Sequence, residues 1–134
     1  MNDWQIRWPN FAPHEVLSPA GLYTLKEKGV LMMRPETLDK LQLLRIVLEQ
    51  KLYVNHAGLT LRGYRAPEEN ASIPFHTNFS AHIMGSAVDV TPEDQDLEQL
   101  YNTAIQNGFV WGKIYEDKNF VHLEDRLRYE QKLL

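Results

Sequence analysis

The amino-acid sequence predicts an α+β fold, with helices packed around a small, mainly antiparallel sheet, and three observations carry that expectation. Residues 35–50 and 91–107 place apolar side chains at helical spacing. Residues 109–115 and 119–124 read instead as strands. The polar Glu116-Asp117-Lys118 between those strands makes them a plausible antiparallel hairpin.

The totals fit one compact unit. At 134 residues, with 43% hydrophobic and 24% charged residues, the chain is expected to form a single domain over 1–134. A formal charge of −4 offers no electrostatic ground for binding nucleic acid. No apolar run approaches the roughly 18 residues needed to span a bilayer, so no membrane insertion is expected. Met1-Asn2-Asp3-Trp4-Gln5 lacks the basic and apolar runs of a secretory signal. Cysteine is absent, so no disulfide staples the fold.

In chain order, residues 1–20 read as an irregular, proline-rich segment whose rings, Trp4, Trp8 and Phe11, pack onto the core; an exposed aromatic patch is the alternative. Ser18-Pro19 can start a short helical piece, because proline is tolerated at the first helical position. In the helix at 35–50, Leu38, Leu41, Leu44 and Leu48 form one apolar stripe, and Glu36 and Asp39 suit its amino-terminal end. Residues 52–62 read as extended chain broken by Asn55-His56-Ala57-Gly58, with His56 a solvated or capping side chain. The second helix is expected to open with Thr91 as cap and Pro92 in the first turn, to bury Leu97, Leu100, Tyr101, Ala104 and Ile105, and to stop at Gly108. Residues 125–134 form a charged tail with helical propensity.

The chemistry centres on residues 79–90. His82 and Asp89 stand seven positions apart, about 23 Å if extended or about 10 Å if helical, too far in either case to share a metal ion. Gly85 between them permits the bend that brings them together. His122 adds a second imidazole on a strand face shared with Glu124. Two imidazoles and one carboxylate with an open position are the donor set of a catalytic zinc site rather than a cysteine-rich structural one. Arg65, after a strand end at Gly63-Tyr64, is either a surface ion pair or a clamp on a substrate carboxylate. His76 reads as an exposed loop histidine, with a fourth metal group or an accessory proton carrier as the alternative.

Ser80-x-His82-x-x-Gly85-x-Ala87-x-Asp89 resembles the zinc signature of the D-alanyl-D-alanine carboxypeptidase family of metallopeptidases, whose fold is shared with the hedgehog signalling domain. Gly63-Tyr64-Arg65 with Asn70 is similar to that family's Ser-Gly-Tyr-Arg segment, and Phe120-Val121-His122 to its closing metal histidine. Phe11-x-x-x-Glu15-x-x-Ser18 and the Leu38-to-Arg45 helix resemble the opening of the branch of small phage and bacterial cell-wall peptidases, so the likeness spans roughly residues 11–125. The resemblance implies Zn2+ on His82, Asp89 and His122, and substrate contacts from Arg65, Ser80, Tyr64 and Asn70. Two departures stand out: Asn119 occupies a place where many members carry an acidic base, and Arg62 replaces the serine before Gly63. Glu124 then becomes the base or a partner orienting His122, with Asp117 or Glu116 as further candidates.

The implied activity is a zinc peptidase cleaving peptide bonds of peptidoglycan stem peptides, as carboxypeptidase or endopeptidase. The alternative is a zinc-binding module of weakened turnover that binds peptidoglycan or forms part of a phage tail or baseplate. Either way the protein is expected to be made in the cytoplasm and to reach the wall after lysis or on a virion, with phage structural proteins as possible partners.

Overall fold

The structure, a computed structural model, describes residues 2–74, 76, 77 and 79–126. Its elements in order are α1 (Asp3–Arg7), a 3-10 turn (Pro13–Glu15), α2 (Pro19–Lys28), α3 (Pro35–Leu48), β1 (Leu52–Tyr53), α4 (Pro67–Ala71), β2 (Ala87–Pro92), α5 (Leu97–Gln106), β3 (Trp111–Tyr115), a second 3-10 turn (Glu116–Lys118) and β4 (Phe120–Glu124). The strands form one antiparallel sheet in the order β1-β2-β4-β3. This is the α+β architecture that the two periodicities predict, and the β3–β4 hairpin turns at Glu116–Lys118 as expected.

One face of the sheet is core. Val88 and Val90 of β2 and Val121 and Leu123 of β4 are fully buried, packed in one cluster with Leu38, Leu41 and Leu44 of α3 and Leu100 and Ala104 of α5. The leucine stripe of α3 is therefore core, and Leu48 packs against the same cluster from its margin. Ile105 lies outside that face and is exposed. Past α5, Gly108 adopts a positive φ of 114°, as a helix stop does.

The amino-terminal segment is more regular than its prolines suggest. Asn2 caps α1 by accepting from the Gln5 N–H at 2.9 Å. Trp8 and Phe11 are buried in the core, and Asp39 on α3 accepts from the Trp8 indole at 2.9 Å. The rings are structural, as the packed reading anticipates. Ser18 caps α2, its hydroxyl accepting from the Gly21 N–H.

Two expectations fail for reasons visible in the hydrogen bonding. Thr91 and Pro92 end β2 instead of opening α5, because they pair with Tyr53 and Leu52, and the Thr91 hydroxyl donates across the sheet to the Asn119 carbonyl at 2.6 Å. The helix begins five residues later, where Asp96 accepts from the Gln99 N–H. Residues 59–62 form no strand. β1 and β4 already flank β2, and Ala57 and Gly58 hold left-handed φ values of 51° and 83° that carry the chain away. Only Arg62 rejoins that edge, its carbonyl accepting from the Asp89 N–H at 2.8 Å. Of the charged tail, Asp125 and Arg126 are buried rather than solvated, and residues 127–134 lie outside the described residues.

Candidate metal centre

The other face of the sheet carries the polar cluster. Asp89 on β2 lies directly opposite His122 on β4, so the antiparallel register alone sets their side chains side by side. His122 Nδ1 is 2.7 Å from Asp89 Oδ1. His82 reaches the same oxygen from outside the sheet, its Nε2 at 3.3 Å.

A tight turn aims His82. The Ser80 hydroxyl accepts from the His82 N–H, and the His82 carbonyl accepts from the Gly85 N–H. Gly85 sits at φ 68°, and a Cβ there would come within 2.2 Å of the Met32 carbonyl oxygen, so both conformation and space require glycine. The bend inferred between His82 and Asp89 is this turn.

Gly63, a strand end and a motif residue in the sequence, also serves to aim His82. A Cβ on it would fall 2.0 Å from the Val16 carbonyl oxygen, which accepts from the Tyr64 N–H. That close approach leaves the Gly63 carbonyl to accept from His82 Nδ1 at 2.8 Å. A carbonyl only accepts, so Nδ1 carries a hydrogen, and Nε2 is the nitrogen that faces Asp89 and would bind a metal once its own proton is lost. His122 is the mirror case: Nε2 donates to Glu124 Oε1 at 2.9 Å, which directs Nδ1 at Asp89.

One nitrogen from each imidazole and one Asp89 oxygen all fall within 4.8 Å of one another. Each histidine is anchored through its other nitrogen, the usual arrangement of metal-binding histidines. The donor types and their spacing fit a tetrahedral zinc site with one open position. Without a cation the cluster holds its charge by ion pairing. Burial alone would raise the Asp89 carboxyl, but His82 and His122 hold it well below the usual carboxylate range. Burial likewise opposes charge on His122, yet its hydrogen bonds to Asp89 and Glu124 prevail and push it up to about 9.

These groups line a cleft of about 560 Å³, together with Arg65, Ser80, Trp111 and Lys118. Arg65 donates to Asn70 Oδ1 at 2.9 Å, to the Leu61 carbonyl at 3.0 Å and to Ser80 Oγ at 3.3 Å, all neutral acceptors. Burial lowers its pKa, against the pull of Asp89. Asn70 acts behind Arg65, buried, and it also donates to the Thr77 carbonyl at 2.8 Å. His76 lines the exposed rim of the cleft, one ring nitrogen 3.0 Å from the Ile73 carbonyl.

Two sequence-read residues are placed elsewhere. Tyr64, expected at the substrate, is buried in the core against α2, where Gly21 leaves space for its ring, and it lines no part of the cleft. Asp117 is exposed in the hairpin turn and likewise does not line the cleft, because the turn carries Lys118 there instead. Trp111 and Arg126 do line it and were missed. Trp111 meets His122 edge-on at 5.8 Å between ring centroids, a contact that depends on the β3–β4 register.

An α+β fold with an anchored His–Asp–His group in an open cleft defines a candidate metal centre, whose three donors could hold one ion. A protein-family model described as Peptidase M15 matches residues 15–124, and the chain belongs to that family of zinc-dependent peptidases. No curated protein matches the chain. Among the described residues, no helix is long and apolar enough to cross a membrane.

Proposed function

We propose that the protein is a zinc peptidase that cleaves peptide bonds in peptidoglycan stem peptides, as a carboxypeptidase or endopeptidase of the D-alanyl-D-alanine carboxypeptidase type. The observation that carries this reading is the His82, Asp89 and His122 group, each histidine fixed by its second nitrogen, opening on the cleft that holds Arg65. Bound zinc supplies Lewis acidity, polarising a carbonyl and lowering the pKa of water to about 7. The chain's own residues do the rest. Arg65, held by Asn70 and Ser80, offers a positive charge to a substrate carboxylate. Among the described residues, Asp89 and Glu124 are the two carboxylates lining the cleft, and Asp89 is committed to both histidines. Glu124 is then the group to take a proton from the attacking water and return it to the leaving amine, while its Oε1 keeps His122 oriented.

One observation favours a second reading, a zinc-binding module that turns over slowly. Asn119, where many relatives carry an acid, holds a left-handed φ of 58° at the end of the turn, is not among the cleft-lining residues, and its carbonyl is tied to Thr91. Such a module would bind the wall or belong to a phage particle. Metal content and peptidoglycan hydrolysis, measured on one purified sample beside a His82→Ala control, separate the two. About one zinc per chain with zinc-dependent release of stem peptides supports the peptidase. Stoichiometric zinc without hydrolysis supports the module.

A further inference from the structure

The residue that departs from the family serine, Arg62, opens onto a second cavity beside the metal cluster. This cavity, of about 390 Å³, shares Arg65, Ile73, Asp89, Lys118 and Phe120 with the first cleft and adds Arg62. The two spaces therefore adjoin along this shared wall. Arg62 is fixed there twice. Its carbonyl accepts from the Asp89 N–H, and its guanidinium lies 4.2 Å over the Phe120 ring centroid.

The charge balance of this cavity is one-sided. Arg62, Arg65 and Lys118 line it, and among the described residues its only carboxylate is Asp89, already engaged by His82 and His122. Among the described residues, neither Arg62, Arg65 nor Lys118 forms a salt bridge. The acids of the hairpin turn, Glu116 and Asp117, line neither cavity. The chain as a whole carries −4, so a cationic wall beside the reaction site runs against its overall balance. An arginine held over an aromatic ring by its guanidinium carbon still has N–H groups that can donate to a carboxylate.

We propose that Arg62, with Lys118, forms a subsite for a second carboxylate of the substrate, separate from the one offered to Arg65, so that the preferred peptide carries an acidic group flanking the scissile bond. The inference rests on the peptidase reading for the bond that is cut, but not for the ligand that is bound. Recognition is by charge and is expected to weaken as salt rises.

The test uses the full zinc-loaded chain and two short peptides that differ only in one flanking carboxylate, present in the first and a carboxamide in the second. Both hydrolysis and binding are measured, the latter calorimetrically. The unaltered chain is expected to favour the acid about tenfold, the size of one charge-assisted hydrogen bond. Arg62→Gln should reduce that preference to about twofold, whereas Arg62→Lys should keep most of it. Lys118→Gln, on an exposed turn where folding is not at stake, should lower it by a smaller factor. Equal binding of the two peptides by the unaltered chain overturns the subsite, as does a preference that survives Arg62→Gln in a folded variant. If neither peptide is hydrolysed but the acid binds better and Arg62→Gln removes that preference, the peptidase reading fails and the subsite stands.

Discussion

At the residue scale, His122 would control how the cluster exchanges a proton for a metal ion. Its imidazole lies between two carboxylates, Asp89 at 2.7 Å and Glu124 at 2.9 Å, which push its pKa up to about 9. A metal must displace the Nδ1 proton, so zinc affinity is expected to rise about tenfold per pH unit up to about pH 9 and then to level off. Competition with a chromophoric chelator across pH 6.5 to 9.5 reads this slope directly, and a flat profile would refute the displaced proton. The metal-free chain follows the complementary sign. His122 is raised from 6.5, so the stability it lends is complete below about pH 6.5 and is lost as pH climbs through about 9. Glu124 can be divided into its two proposed roles. Glu124→Gln retains an acceptor for His122 Nε2, so it should cost less than about tenfold in zinc affinity while reducing hydrolysis at least about a hundredfold. Glu124→Ala should also lose about 10–100-fold in zinc affinity. Hydrolysis that survives Glu124→Gln would leave Glu124 an orienting role alone. The ligand types and the bend at Gly85 were legible because they are side-chain facts at fixed spacing. The Gly63 carbonyl was not, since every residue has a carbonyl and only the fold decides where it points. Tyr64 misled for the opposite reason: its neighbour Arg65 faces the cleft, while its own ring fills a gap above Gly21.

At the scale of elements, regular pieces read well where one force decided them and badly where two competed. The α3 stripe and the β3–β4 hairpin follow from hydrophobic period and turn chemistry alone. Thr91-Pro92 is a sound helix start locally, but a ladder partner on one side and the Asn119 carbonyl on the other hold it in β2. The turn from Ala81 to Gly85 is the element on which the centre depends, and two glycines isolate its contribution. Gly29 and Gly85 hold nearly the same φ, 66° and 68°, but a Cβ at Gly29 meets nothing within 4 Å whereas one at Gly85 strikes the Met32 and Met33 backbone. Gly29→Ala should therefore cost about 1–2 kcal/mol, the left-handed penalty alone. Gly85→Ala adds a steric clash and should cost roughly 2–5 kcal/mol, with weaker zinc binding as His82 shifts. Denaturant titration of both variants checks this, and equal losses would show that the packing of the turn on the chain before α3 is not what holds it.

For the whole molecule, the centre ties together parts of the chain that are distant in sequence. His82 brings its turn and, through the Gly63 carbonyl, the segment bonded to Val16; Asp89 and His122 bring the central strands of the sheet. The carboxyl end of β4 is locked separately, by Asp125 bonded to Thr37 and Lys40 of α3. Zinc that binds the folded arrangement and not the unfolded chain must stabilise the fold by mass action. At free zinc a hundred times the dissociation constant this amounts to about 2.7 kcal/mol. For a chain of 134 residues that corresponds to a rise in Tm of roughly 5–15 °C. Scanning calorimetry of the zinc-loaded and chelator-stripped protein should show that difference, and His82→Ala should abolish it even if the variant starts from a different Tm. A rise that persists in His82→Ala would place the stabilising ion elsewhere. The absence of any rise in the unaltered chain would mean that the three donors, close as they stand, hold one another rather than a metal.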